Sequence, residues 1–191
     1  MRPPGGTDAR AGEVSELSDA LLIARWKSGD QQSAAVLVER HAPALARFAA
    51  SRGVRDQLEE VVQDTFVRAF GSLEGFRADS ALRTWLFTIL RRLVLDRRRA
   101  EQRRRDDTAL DEGQAVQEFN ALDTLVAEET ERRVREGVSR LSPLQREVFT
   151  LRVTEGMAYS DIAVIVGSTE GACRVHYHNA VRSVRRFLDD A

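Results

Sequence analysis

The chain has a single cysteine, Cys173, in 191 residues. An internal disulfide is therefore excluded, which fits a reducing compartment. No apolar run approaches the ~20 residues needed to cross a bilayer. The opening stretch MRPPGGTDARAGE has no apolar core of the kind a secretory leader requires, so the expectation is a cytoplasmic protein without membrane insertion. Charge of one sign is not in excess either: 29 Lys+Arg stand against 30 Asp+Glu, which argues against a nonspecific polycation. No phosphate-binding glycine loop, paired-histidine metal motif or nucleophile elbow is present, and scattered Ser, His and Asp residues do not make a catalytic site. The expectation is a protein that is not an enzyme and uses no cofactor.

What the chain does have is ordered charge and helical periodicity. From Arg91 to Arg105 there are eight arginines and two acids; from Asp106 to Glu131 there are nine acids and no basic residue. A basic surface beside an acidic connector suits a nucleic-acid binder whose linker avoids the DNA, although two solvated charge blocks would read the same way. The apolar fraction of 42% is ordinary for a soluble protein, and the length allows two small domains.

The central stretch organises the reading. Leu58, Val61, Val62, Thr65, Phe66, Ala69 and Phe70 follow the spacing of a helix with a wide buried stripe. Glu59, Glu60, Gln63, Asp64 and Arg68 fall on its other face. A second helix, starting at Asp79 or Ser80, buries Leu82, Trp85, Leu86, Ile89 and Leu93. Thr84, Thr88, Arg91 and Arg92 then lie elsewhere on its surface. Upstream, Met1 to Glu16 reads as a disordered tail. Ser18 caps a helix carrying Leu21, Leu22, Ala24 and Trp26. Asp30 or Ser33 caps the next, and Pro43 starts a further helix or marks a kink before the stop at Gly53.

Downstream, Asp106 to about Asp123 reads as a flexible acidic linker. An amphipathic helix begins near Leu125 with Val126, Val134 and Val138, and Leu141 closes it. Ser142-Pro143-Leu144-Gln145 is a capping box with Pro at the first helical position. Ser160 caps a short helix, Gly167 makes a turn, and Ser168 caps the last helix. A short helix, glycine turn and longer helix make a helix-turn-helix. On the last helix Cys173, Tyr177, Ala180, Val184 and Phe187 form the inward stripe, and Arg174, Val175, His178 and Arg182 lie on or near the open side. Cys173 and His176 could meet on adjacent turns, but His178 diverges and no fourth ligand is nearby. No metal site is expected.

The pieces VVQDTFVRAF and FRADSALRTWLF, followed by a helix running into arginines, resemble region 2 of bacterial RNA polymerase sigma factors of the extracytoplasmic-function (ECF) type. LSPLQREVFTLRVTEGMAYSDIAVIVGSTEGACRVHYHNAVRSVRRFL resembles sigma region 4. Together they cover nearly everything from Ser18 to Leu188. The resemblance implies an all-α chain of two small helical domains: a tail over 1–16, region 2 over 17–105, a linker over 106–124 and region 4 over 125–191. It implies that Glu60, Gln63, Asp64 and Arg68 dock on the clamp helices of the largest subunit of core RNA polymerase. It further implies that Phe76, Arg77, Ser80, Arg83, Thr84, Arg91 and Arg92 serve the −10 promoter element, with Phe76 either stacking on a base or plugging the core. Ser168, Thr169, Glu170, Arg174, Val175, His178 and Arg182 would serve the −35 element, and an anti-sigma partner is possible in such a protein. Departures from the family pattern at Leu90-Arg91-Arg92, Gly171-Ala172-Cys173 and Asn179-Ala180-Val181 point to altered promoter preference. A helix-turn-helix regulator that binds an operator without being a polymerase subunit is the alternative; it has no need of the Leu58–Arg99 stretch.

Overall fold

The computed structural model describes residues 17–72, 81–107 and 125–190, and every regular element among them is an α-helix. Four helices form the first unit: α1 (Asp19–Lys27), α2 (Gln31–Ser51), α3 (Leu58–Gly71) and α4 (Leu82–Asp107). Four form the second: α5 (Leu125–Ser139), α6 (Pro143–Val153), α7 (Tyr159–Val166) and α8 (Glu170–Asp189). The tail, the residues around Phe76 and the connector after Asp107 lie outside the described residues.

Local chemistry sets most of the boundaries. Ser18 Oγ accepts from the Leu21 amide, and Asp30 accepts from the Gln32 amide at 3.1 Å, so both helix starts are side-chain capped. Gly53, at φ +83°, lies just past the end of α2 in a backbone conformation that side chains with a Cβ rarely adopt. The capping box at Ser142 is present in both directions, with Gln145 reaching back to the Ser142 amide. Gly167, at φ 68° and ψ 47°, ends α7 in the left-handed conformation that glycine favours.

Four expectations about boundaries are corrected. Pro43 does not start a helix; α2 runs through it without interruption. Proline removes one amide donor, and the buried stripe of Leu37, His41, Ala44, Leu45 and Phe48 runs on both sides of it. α7 starts two residues earlier than a Ser160 cap would allow, with Ala158 at the cap position and no side-chain hydrogen bond. Thr169, not Ser168, caps α8, its hydroxyl accepting from the Ala172 amide at 3.2 Å. α4 also continues to Asp107, two residues into the stretch read as linker.

The stripe on α3 is buried as its spacing dictates: Val61, Val62, Thr65, Phe66 and Ala69 are inside. α4 differs. Leu82, Leu86 and Leu93 are buried as expected, but so are Thr84, Phe87, Leu90 and Val94, whereas Trp85 and Ile89 are only half-buried. The reason is that α4 is covered on two sides. One side packs on α2 and α3, with Phe48 edge-on to Phe87 at 5.3 Å between ring centroids. The other packs on α7 of the second unit, while α2 packs on α6. The two units share one apolar cluster that runs from Leu22 to Cys173 and includes Phe48, Leu90, Val148, Leu151 and Ile162. A smaller cluster of Leu141, Ala180 and Val184 lies between α5 and α8. Gly137 permits that approach: a Cβ there would stand 3.0 Å from Phe187 Cδ1.

Candidate nucleic-acid interface

The α6 stripe carries Leu144, Val148 and Leu151, and two carboxylates are inside with it: Glu147 on the helix and Glu155 just past its end. Glu147 is 2% exposed and Glu155 5%. Ionised carboxylates survive such burial only when paired, and both are paired with arginines of the first unit. Glu155 accepts from Arg47 Nε at 3.0 Å, from Arg47 Nη2 at 3.1 Å and from Arg83 Nη2 at 2.6 Å. Glu147 accepts from Arg91 Nε at 2.8 Å and pairs with Arg52. Between these two clusters, Thr84 Oγ1 stands 3.1 Å from Asp161 Oδ1 on α7.

The cluster at Glu147 carries more positive than negative charge. Arg52 is 3% exposed, and its Nε has no hydrogen-bond partner. Burial, together with Arg98, Arg91 and Arg146 nearby, pushes its guanidinium down to about 10. Burial lowers Arg91 as well. Arg98 donates to the Arg52 carbonyl, and Arg146 donates to the carbonyls of Val138, Ser139 and Leu141 at the end of α5.

Of the residues expected at the −10 element, Arg83 and Arg91 are therefore brought to one face of α4, and both are engaged by the second unit. Thr84, expected on the surface of α4, is buried and bonded to Asp161, because the second unit covers the side of α4 on which it lies. Arg92 is exposed. Phe76, Arg77 and Ser80 lie outside the described residues.

On α3, Gln63 and Arg68 are exposed. Glu60 and Asp64 converge on Arg97 of α4, each at 2.9 Å from Nη2, and Gln57 accepts from its Nη1 at 2.9 Å. Burial works against the Arg97 charge, but the two carboxylates outweigh it and hold the guanidinium above its ordinary range. The acidic face keeps its exposure, with side chains 58% and 42% accessible at Glu60 and Asp64.

The helix-turn-helix presents a separate open face. Ser168, Thr169, Glu170, Arg174, Val175, His178 and Arg182 are all exposed. Behind them Cys173, Ala180 and Val184 are buried, and burial pushes the Cys173 thiol up, as a packed thiol requires. Arg174 is braced by Glu170 at 2.8 Å and lies 5.2 Å from the centroid of the Tyr159 ring. Among the described residues no group of His, Cys, Asp and Glu is arranged to hold a metal ion, and no helix is long and apolar enough to cross a membrane.

Residues 37–104 match the family described as Sigma-70 region 2, and residues 131–184 match Sigma-70, region 4. The chain belongs to the ECF sigma factors. It is 29% identical over 170 residues to the ECF RNA polymerase sigma-E factor of Haemophilus influenzae, covering 84% of this chain and 90% of the relative. It is 28% identical over 178 residues to the protein of the same name in Escherichia coli K12, covering 88% and 93%. Two solved structures share the fold. One is CnrH in complex with the cytosolic domain of CnrY (TM-score 0.67, 30% identity, 90% of this chain and 97% of that chain). The other is the sigma factor RpoE of Bartonella quintana with the anti-sigma factor NepR (TM-score 0.63, 29% identity, 81% and 93%).

Sequence reasoning missed Arg47, Arg52, Arg97, Glu147, Glu155 and Asp161 in this sigma factor. For two of them a signal was present. Arg52 continues the α2 stripe of Leu45, Phe48 and Ala49, and Glu147 sits on the α6 stripe one residue before Val148. A charge on an apolar stripe announces a buried partner. Nothing local says which partner.

Proposed function

We propose that this sigma factor binds core RNA polymerase, directs it to promoters with −35 and −10 elements, and assists opening of the duplex, acting by binding and without chemistry of its own. The observation that carries the reading is the pairing of two matched regions in one chain: a region-2 unit with an exposed acidic face on α3 and arginines on α4, and a region-4 unit with an open helix-turn-helix face. An operator-binding regulator would need only the second.

In this reading Glu60, Gln63, Asp64 and Arg68 present a polar, mostly acidic face to the clamp helices of the largest polymerase subunit. Charge complementarity there fixes register more than it adds affinity. Arg83, Arg91 and Arg92, with Phe76, Arg77, Ser80 and Thr84, serve the −10 strand through phosphate contacts and a base pocket. The first turn of α8, from Glu170 with its Thr169 cap, enters the major groove, and Arg174 reaches a base edge or phosphate. His178 and Arg182 follow one and two turns later on the same side. An anti-sigma protein as a further partner is supported by the neighbouring complexes with NepR and CnrY.

Run-off transcription on a promoter library with core polymerase, with and without the chain, tests this. Initiation that depends on the chain is the expected result and yields both promoter elements. No initiation, with no co-elution with core, would replace the reading with an operator-binding regulator.

A further inference from the structure

Glu60 and Asp64 stand one turn apart on α3, where two like charges repel. Arg97 reaches across from α4 and holds both. Its Nη2 donates to Glu60 Oε1 and to Asp64 Oδ2, each at 2.9 Å, and its Nη1 donates to Gln57 Oε1 at 2.9 Å. One guanidinium fork thus spans the start of α3 from its cap residue to Asp64. The Arg97 side chain is itself 24% exposed, while those of Glu60 and Asp64 keep 58% and 42%. Arg97 therefore grips the two acids from the α4 side and leaves their outer side to a partner. Val67, an exposed apolar side chain, lies one turn on from Gln63 and Asp64 and borders the same face. A solitary exposed ion pair contributes little to stability, but a guanidinium shared among three acceptors is a network of fixed geometry.

We propose that Arg97 is a positioning residue for the docking of α3 on core polymerase: it fixes the Glu60 and Asp64 carboxylates in the arrangement that a partner's cations meet. The inference rests on the reading of that face as the core-binding one. Charge counting alone gives the opposite expectation. Arg97 cancels one of the two negative charges of Glu60 and Asp64, so its removal would strengthen attraction to a cationic helix. Positioning says instead that removal frees two side chains and restores their repulsion, so that docking has to order them again. The two accounts act on different rates. Long-range charge is felt in the association rate, and the geometry of the contacts made is felt in the dissociation rate.

The test follows binding of the full chain to immobilised, purified core RNA polymerase in real time by biolayer interferometry. Arg97→Met should raise the dissociation rate about five- to tenfold, the scale of two side chains that must be ordered anew, with an association rate equal to or above that of wild type. Arg97→Lys keeps the charge and loses the fork, and it should also dissociate faster. In a Glu60→Gln, Asp64→Asn background, Arg97→Met should add no further loss. Unchanged or slower dissociation of Arg97→Met overturns the proposal, and so does an equal loss in the background that lacks the carboxylates. Should Arg97→Met lose its helical circular dichroism, Arg97→Lys decides alone, and an unchanged dissociation rate there overturns the proposal. The two readings fail differently. A wild-type chain that does not bind core removes both the role of Arg97 and the reading on which it rests. A chain that binds core, loses binding on Asp64→Arg and is indifferent to Arg97→Met keeps that reading and removes the role of Arg97.

Discussion

In the Arg52–Glu147–Arg91 cluster, removing the anion costs far more than removing the buried cation. Burial, with Arg98, Arg91 and Arg146 nearby, holds the Arg52 guanidinium at about 10, below its ordinary range, so its charged form carries a penalty on the order of a few kcal/mol. Because the folded-state value is the lower one, the penalty is fully present below pH 10 and is relieved only as pH rises through 10. Arg52→Met removes that penalty together with the attraction to Glu147, which Arg91 still neutralises at 2.8 Å. The net change should be within about 1 kcal/mol of zero. Glu147→Leu strands Arg52 among Arg91, Arg98 and Arg146 with no anion, and should cost about 3–5 kcal/mol. The double variant should return to within about 1 kcal/mol of wild type, since a buried pair replaced by apolar groups is close to neutral. Urea unfolding followed by circular dichroism measures all four corners of the cycle. If the two units separate before either unfolds, the Glu147→Leu loss is capped at the free energy of closure and shows as a larger hydrodynamic radius in native buffer. Equal losses for Arg52→Met and Glu147→Leu, or a double variant no better than Glu147→Leu, would refute the claim that the cluster has an excess of cations.

Four further outcomes are expected. Asp64→Arg weakens binding to core polymerase and leaves −35 duplex binding intact, whereas Arg174→Ala does the reverse at a cost of about 1–3 kcal/mol; pull-down with core and duplex gel shifts separate the two, and exchanged phenotypes would show the roles misassigned. His41 is lowered by burial despite Asp19 at 2.8 Å, with Arg40 and Arg83 also pressing it down. Its contribution to stability is therefore present above its unfolded value of 6.5 and lost as pH falls through its lower folded value, so melting temperature should drop in that window and a His41→Asn chain should show a flatter profile. Gly137→Leu drives a side chain into Phe187 and Val184 and should cost about 1–3 kcal/mol, read as a lower urea midpoint; an unchanged midpoint would mean that α5 can back away from α8 freely. Ser142→Ala removes one side of the capping box and should cost about 1 kcal/mol, measured the same way.

Local rules account for most of what the chain shows. The α3 stripe from Val61 to Ala69, the Ser18, Asp30 and Ser142 caps, the glycine turn at Gly167 and the inward face of Cys173, Ala180 and Val184 all follow from spacing and capping chemistry, which act over a few residues. Misplaced starts at Ser160 and Ser168 arose where two neighbouring positions offered competing caps or none was used. Pro43 does not start a helix because tertiary packing of the α2 stripe outweighs one lost hydrogen bond.

The sequence by itself determined two helical units, an arginine-rich α4 and an open reading face on α8, because periodicity, caps and charge runs are written locally. Only the tertiary structure decided what α4 touches. Its second covered side, on which Thr84 is buried against Asp161, comes from α7, many residues away in the chain. Two of the arginines expected at the −10 element, Arg91 and Arg83, are held by Glu147 and Glu155 for the same reason. Ion pairs between residues separated by 56 and 72 positions leave no mark in local spacing, so a chain that reads as two tethered domains closes on itself through charges that each domain, taken alone, would show to water.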